Sequence, residues 1–171
     1  MLAIRLSKAA LVGALALTCT LVVYGNVTEP AVNLAFVQHV LSMDTILPDS
    51  GIADRAITDP ALQRGAFAMI VAAEAVTALL LWIGVALMLA RLRAPRGDFD
   101  RAKTWAIAGL SVGFLVWQAG FLGIGAEWFG MWMSKVWNGQ QSAFRFAMTV
   151  LGVMIYVALP EAENPEAGRR D

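Results

Sequence analysis

Apolar residues gather into four long runs, at positions 9–24, 65–90, 104–126 and 146–159, and most charged residues lie in the segments between and beyond them. A helix needs about 20 mostly apolar residues to cross a hydrocarbon core of about 30 Å, so the two middle runs predict transmembrane helices by length alone. With their flanks the outer two qualify as well, and the predicted spans cover about 5–25, 65–91, 102–126 and 143–160. The expected fold is all-α: a four-helix transmembrane bundle, one domain over residues 1–160, with short helices in two outer loops. Residues 161–171, polar and rich in Glu and Ala, predict a disordered tail on the cytoplasmic side.

The connections give the orientation. Five basic residues crowd the link between the second and third runs, Arg91, Arg93, Arg96, Arg101 and Lys103. Basic residues in short loops mark the cytoplasmic side, so this link and, with four crossings, both termini are expected there. Arg5, Lys8, Arg169 and Arg170 agree. On the other face lies a long segment, 25–64, which is too long to be structureless in a compact domain. Val32, Phe36, His39, Val40 and Met43 recur at helical spacing within it, with Glu29 and Pro30 at the start. Asp44, Pro48, Asp49, Ser50 and Gly51 then supply turn chemistry, and Thr58-Asp59-Pro60 signals a helix that continues into the second span. The second outer loop, 127–142, carries Trp128, Trp132 and Trp137, residues suited to the headgroup level, and predicts a short interfacial helix that stops at Asn138-Gly139.

Composition strengthens the membrane reading. Hydrophobic residues make up 58% of the 171 and charged ones 15%, against about 45–50% and about 25% in soluble domains. The formal charge is zero, which points to no nucleic acid or other polyanion. The basic start could open a secretory signal, but no Ala-x-Ala site closes the first run, so a retained first helix is expected. The single cysteine, Cys19, lies inside that run as a small packing residue.

Several strings carry a resemblance. Phe36-Val37-Gln38-His39-Val40-Leu41-Ser42-Met43-Asp44-Thr45, Arg55-Ala56-Ile57-Thr58, Gly125-Ala126-Glu127-Trp128-Phe129, Trp137-Asn138-Gly139-Gln140 and Ala143-Phe144-Arg145 look like the signature stretches of a bacterial family of predicted small integral membrane proteins, a domain family of unknown function. The likeness runs from the first helix to the fourth. It implies a four-span protein of the bacterial inner membrane and supplies no activity, substrate or cofactor. One departure is Gly125-Ala126-Glu127, where the family pattern leads one to expect Gly-Gly-Glu.

Among candidate residues, Glu74 is the sharpest. About ten residues into the second run, it is expected near the middle of the bilayer, where an acidic group is costly unless partnered. It could serve as a proton relay, a cation ligand or a polar anchor, and as an anchor it would tie its helix to Gln118 or Thr18. His39 and Met43 share a helix face, and with Met131 and Met133 offer ligands suited to Cu(I). A single packed histidine is the plainer interpretation, so no metal and no cofactor are expected. Lys135 and Arg145 are expected to pair with Asp44, Asp54, Asp59 or Glu127 and lock the outer segments over the bundle, the alternative being an anion gripped by Arg55 or Arg145. Gly109 and Gly113 form a small-xxx-small pair that permits close helix approach, within the chain or to another subunit.

No P-loop, dinucleotide fingerprint, zinc spacing or nucleophile elbow occurs, so the chain is read as non-enzymatic. The leading expectation is an accessory or scaffolding subunit of a larger membrane complex, with the lipid bilayer and other membrane subunits as partners and the ligand unknown. His39, Asp44, Arg55, Glu127, Trp128, Trp132, Lys135, Trp137, Asn138 and Arg145 would then form the outer structural or recognition surface. The alternative is a small transporter or ligand-binding membrane protein that uses Glu74 with Gln118. A membrane enzyme or metal-handling protein built on the outer face around His39, Met43, Glu127 and Arg145 stands third.

Overall fold

The computed structural model describes residues 1–161, and their helices set out four candidate membrane crossings. Helix α1 spans Leu2–Thr28 and α2 spans Pro30–Ser42. Helix α3 spans Pro60–Ala90, α4 Arg96–Ala102, α5 Thr104–Leu115 and α6 Gln140–Ala158. The third crossing continues past α5 as a π-helical stretch, Val116–Trp128. Short 3₁₀ turns occupy Ala53–Arg55 and Met131–Met133.

Local chemistry explains most of these limits. Asp59 caps α3, its side chain accepting from the Ala61 N–H at 2.7 Å, and Pro60 follows at the first helical position. Glu29 precedes Pro30, and a residue before proline is pushed out of the helical region; it sits at φ −138°, ψ 69°, which separates α1 from α2. Gly130 holds φ +65° and turns the chain out of the π-helical stretch, a conformation that glycine adopts without steric cost.

The four crossings α1, α3, α5 and α6 pack in a ring in chain order, each antiparallel to the next. Their shared core contains Val12, Ala16, Leu81, Met88, Phe99, Ala106 and Leu110. Close approach depends on glycine. A Cβ at Gly84 would lie 2.6 Å from the Ala106 backbone nitrogen, one at Gly109 3.0 Å from Leu80 and Leu81, and one at Gly113 3.0 Å from Thr77. Gly109 and Gly113 therefore serve contacts within the chain.

Charged residues tie the ends of the crossings together at the terminal face. Lys8 Nζ donates to the Leu159 carbonyl at 2.5 Å and to that of Val157 at 3.3 Å. Arg5 Nη1 donates to the carbonyls of Leu92 at 2.9 Å and Ala94 at 2.7 Å, and its Nε and Nη2 each meet a Glu161 oxygen at 2.6 Å. Glu161, expected to open a free tail, is buried and held; the rest of that tail lies outside the described residues.

This tie fixes the length of the molecule outside lipid. With 19 residues, α6 is about 28 Å long and just spans a hydrocarbon core, whereas α3 with 31 residues is about 46 Å. Because the crossings start level at the terminal face, the excess of α3 projects at the other end. There it joins α2 and the end of the π-helical stretch in a cap, whose own core is Val40, Met43, Ala126, Phe129 and Met131. Of the short interfacial helix expected in the 127–142 loop, the structure forms one 3₁₀ turn, Met131–Met133, after the π-helical stretch ends at Trp128.

Candidate functional site

Glu74 lies about 24 Å from the Ala90 end of α3. The residue is 6% exposed. Its Oε2 accepts from Asn26 Nδ2 at 2.9 Å, and Asn26 Oδ1 accepts from Asn33 Nδ2 at 2.5 Å. Neither asparagine was singled out in the sequence, although both flank the Glu29-Pro30 break. The chain of amides crosses that break and fastens the base of α2 to α3. Glu74 also borders a cavity of about 20 Å³ with Cys19, Thr77 and Trp117. Gln118, its expected partner, is exposed and lines a different cleft.

A larger cavity, of about 290 Å³, opens between α2, α3 and the π-helical stretch. Helix α2 contributes Phe36, Val37, Val40 and Leu41, which share one face at helical spacing. Helix α3 contributes Ala66, Met69, Ile70 and Ala73 by the same rule. Gly120, Phe121 and Ile124 close the third side. Every residue that lines this cavity is apolar. It extends from the level of Ala73, next to Glu74, into the cap. An added Cβ at Gly120 would meet nothing within 4 Å, so this glycine leaves open space.

The π-helical stretch presents a second face to α6. Gln118, the adjacent pair Leu122 and Gly123, and Glu127 recur at spacings of four and five, and they line a cleft of about 530 Å³ with Gln140, Gln141 and Phe144.

The outer residues assemble differently from expectation. His39 Nδ1 lies 2.7 Å from Asp44 Oδ2, and the imidazole stacks on Trp137 with ring centroids 4.4 Å apart. Trp137 in turn meets Phe36, on the wall of the apolar cavity, edge-on at 6.2 Å. Met43 is instead buried in the cap core beside Met131, so the thioethers do not converge with the imidazole. Among the described residues no group of three or more His, Cys, Asp or Glu side chains is placed to hold a metal.

Nor do the loop cations form the expected ion-pair lock. Arg55 lies over the Trp128 ring at 4.5 Å and donates to the Trp128 carbonyl at 3.1 Å. Arg145 donates to Ser142, and Lys135 is exposed. Among the described residues of the cap, the contact seen between an acidic and a basic side chain is the His39–Asp44 hydrogen bond. The cap is closed instead by neutral contacts: Ile57 N–H to the Leu41 carbonyl at 2.7 Å, Thr45 Oγ1 to Ser134 Oγ at 2.8 Å and Asn138 Nδ2 to the Trp132 carbonyl at 3.3 Å. Trp128 and Trp132 stay about half exposed, as ring anchors at a headgroup layer do.

The comparisons with known proteins agree with this architecture. A family model described as "predicted small integral membrane protein (DUF2165)" matches residues 4–160. Neither the curated proteins nor the solved structures contain a match. The chain belongs to that family.

Proposed function

We propose that this member of the DUF2165 family is a non-enzymatic, ligand-binding membrane protein whose cap cavity takes a hydrocarbon chain. The cavity carries the reading. Its walls offer no polar group to orient a solute, and part of it stands beyond the hydrocarbon core, where water in an apolar space is unfavourable. At about 290 Å³ it is about twice the ~150 Å³ of an engineered dry cavity that accepts benzene, so it suits a segment of a chain and not a whole lipid. Helix α2 forms one wall, and the Asn33–Asn26–Glu74 chain holds that wall in place. Glu74 is then a positioning group for the site. No cofactor or metal enters this reading.

The orientation that goes with it places the basic terminal face in the cytoplasm of a bacterial cell and the cap on the far side of the inner membrane. Arg91 and Arg93, exposed at that face, support this by the distribution of basic residues.

Native mass spectrometry of the purified protein tests the reading. The wild type should retain one hydrocarbon-bearing molecule through detergent exchange, and Gly120→Leu, at a position where an added Cβ meets nothing within 4 Å, should lose it while keeping its helical circular dichroism. Equal retention by both would overturn the proposal.

A second reading rests on a separate observation. Leu62 and Val136, 60% and 75% exposed, stand on the cap with Trp132, and exposed apolar surface of this kind suits a protein partner. The chain would then be an accessory subunit of a larger complex. Purification from native membranes as a lone monomer would contradict this.

A further inference from the structure

The polar cleft between the π-helical stretch and α6 has no part in the cavity reading above, and it lies on the opposite face of the stretch. We infer that this cleft binds the headgroup of a phospholipid that carries a primary ammonium beside its phosphate.

Three features select that ligand. The first is charge: Glu127 is the one ionisable residue among those that line the cleft, and it stands at the C-terminal end of the π-helical stretch, where helix carbonyls add negative potential. An ammonium is favoured at this end, and a purely anionic headgroup is disfavoured. The second is hydrogen bonding. Gln118, Gln140 and Gln141 bring amides that both donate and accept, and none of the three side chains has a hydrogen-bond partner among the described residues. Amides suit the oxygens of a phosphate and a glycerol ester. Gln140 and Gln141 also open α6, whose N-terminal end favours the phosphate side. An ammonium at Glu127 and a phosphate near Gln140 thus reproduce the polarity of the cleft.

The third feature is position. The cleft sits where α6 begins, at the cap-side edge of a core that α6 just spans. Leu122 and Phe144 line the same cleft and give the first methylenes of the chains an apolar contact. At about 530 Å³ the cleft falls within the usual ~300–1,000 Å³ range of small-molecule sites.

The test uses the full-length protein in nanodiscs of phosphatidylethanolamine, phosphatidylcholine or phosphatidylglycerol, with retained lipids counted by native mass spectrometry. The choline lipid keeps the positive charge but has no N–H to donate. Retention of the ethanolamine lipid about tenfold over both others is expected, falling to parity in Glu127→Gln and in Gln118→Leu, with the melting temperature of Glu127→Gln unchanged. Equal retention of the three lipids by the wild type would overturn the proposal, as would a Glu127→Gln variant that keeps the preference. A wild-type dimer that Gln118→Leu converts to monomer would overturn it too, because the cleft would then be covered by a second copy of the chain.

Discussion

Replacing Glu161 by Gln removes one charge from the contact that fastens the last described residue to the first helix, and the size of the effect can be worked from the geometry. Arg5 grips Glu161 through two bonds of 2.6 Å, with side-chain exposures of 7% and 3%. Breaking a deeply buried pair costs about 3–5 kcal/mol, and an exposed pair contributes about 0–1. This pair is shielded from solvent but stands at the terminal face of the bundle, past the end of α6, so an intermediate coupling of about 2 kcal/mol is expected. Arg5 also holds the Leu92 and Ala94 carbonyls and lies 4.6 Å from the Phe99 ring centroid. Arg5→Leu should therefore destabilise more than Glu161→Gln. For a chain of this size, about 2 kcal/mol corresponds to about 4–8 °C in melting temperature.

The pH dependence has a definite sign. The hydrogen bonds from Arg5 hold the Glu161 carboxyl below the usual carboxylate range, outweighing the opposing effect of desolvation. A carboxyl with a lowered folded pKa contributes stability above its unfolded value of about 4.3 and loses it as the pH falls through the folded pKa. Melting in detergent should therefore show a constant gap between wild type and Glu161→Gln from about pH 8 to pH 5, closing below about pH 4. A double-mutant cycle over Arg5→Leu and Glu161→Gln that returned a coupling below about 0.3 kcal/mol would refute the argument.

Three further outcomes follow from other contacts. Glu74→Leu should destabilise by about 1–3 kcal/mol, because Asn26 Nδ2 then loses its buried acceptor, whereas Glu74→Gln should cost less; thermal unfolding of the two variants compares them. Gly84→Ala puts a methyl group against the Ala106 backbone and should cost about 1–3 kcal/mol, with Gly84→Val unable to fold, as read by detergent-resistant helical signal. Gly120→Leu should raise stability by up to about 1 kcal/mol, since it replaces a helical glycine and meets open space; a lower melting temperature would mean that the cavity is closed in solution.

Most of the architecture was legible in the sequence because lipid imposes a simple pattern. Long apolar runs gave the crossings, and the Asp59-Pro60 start and the stripe from Val32 to Met43 gave the cap-side helices. The π-helical stretch was not legible: Gly120, Gly123 and Gly125 hint at irregular packing, but with only Gln118 and Glu127 polar in it no periodicity distinguishes a π turn from an α turn. For Glu74 it was the partner that the sequence misjudged. Its true partner, Asn26, sat at the far end of another crossing, and only the antiparallel register of α1 on α3 brings them together. Charged residues misled in both directions. Of the loop cations, Arg145 meets the neutral Ser142 and Lys135 is exposed, while Glu161, which looked like part of a solvated tail, is buried against Arg5.

The most direct test of the cap cavity is photocrosslinking with a phospholipid whose acyl chain ends in a diazirine, followed by peptide mapping in the wild type and in Gly120→Leu. The account predicts labels on the facing residues Phe36, Met69 and Phe121 of the wild type and their loss in the variant. Labels confined to the outward-facing sides of α1 and α6, unchanged by the substitution, would contradict it.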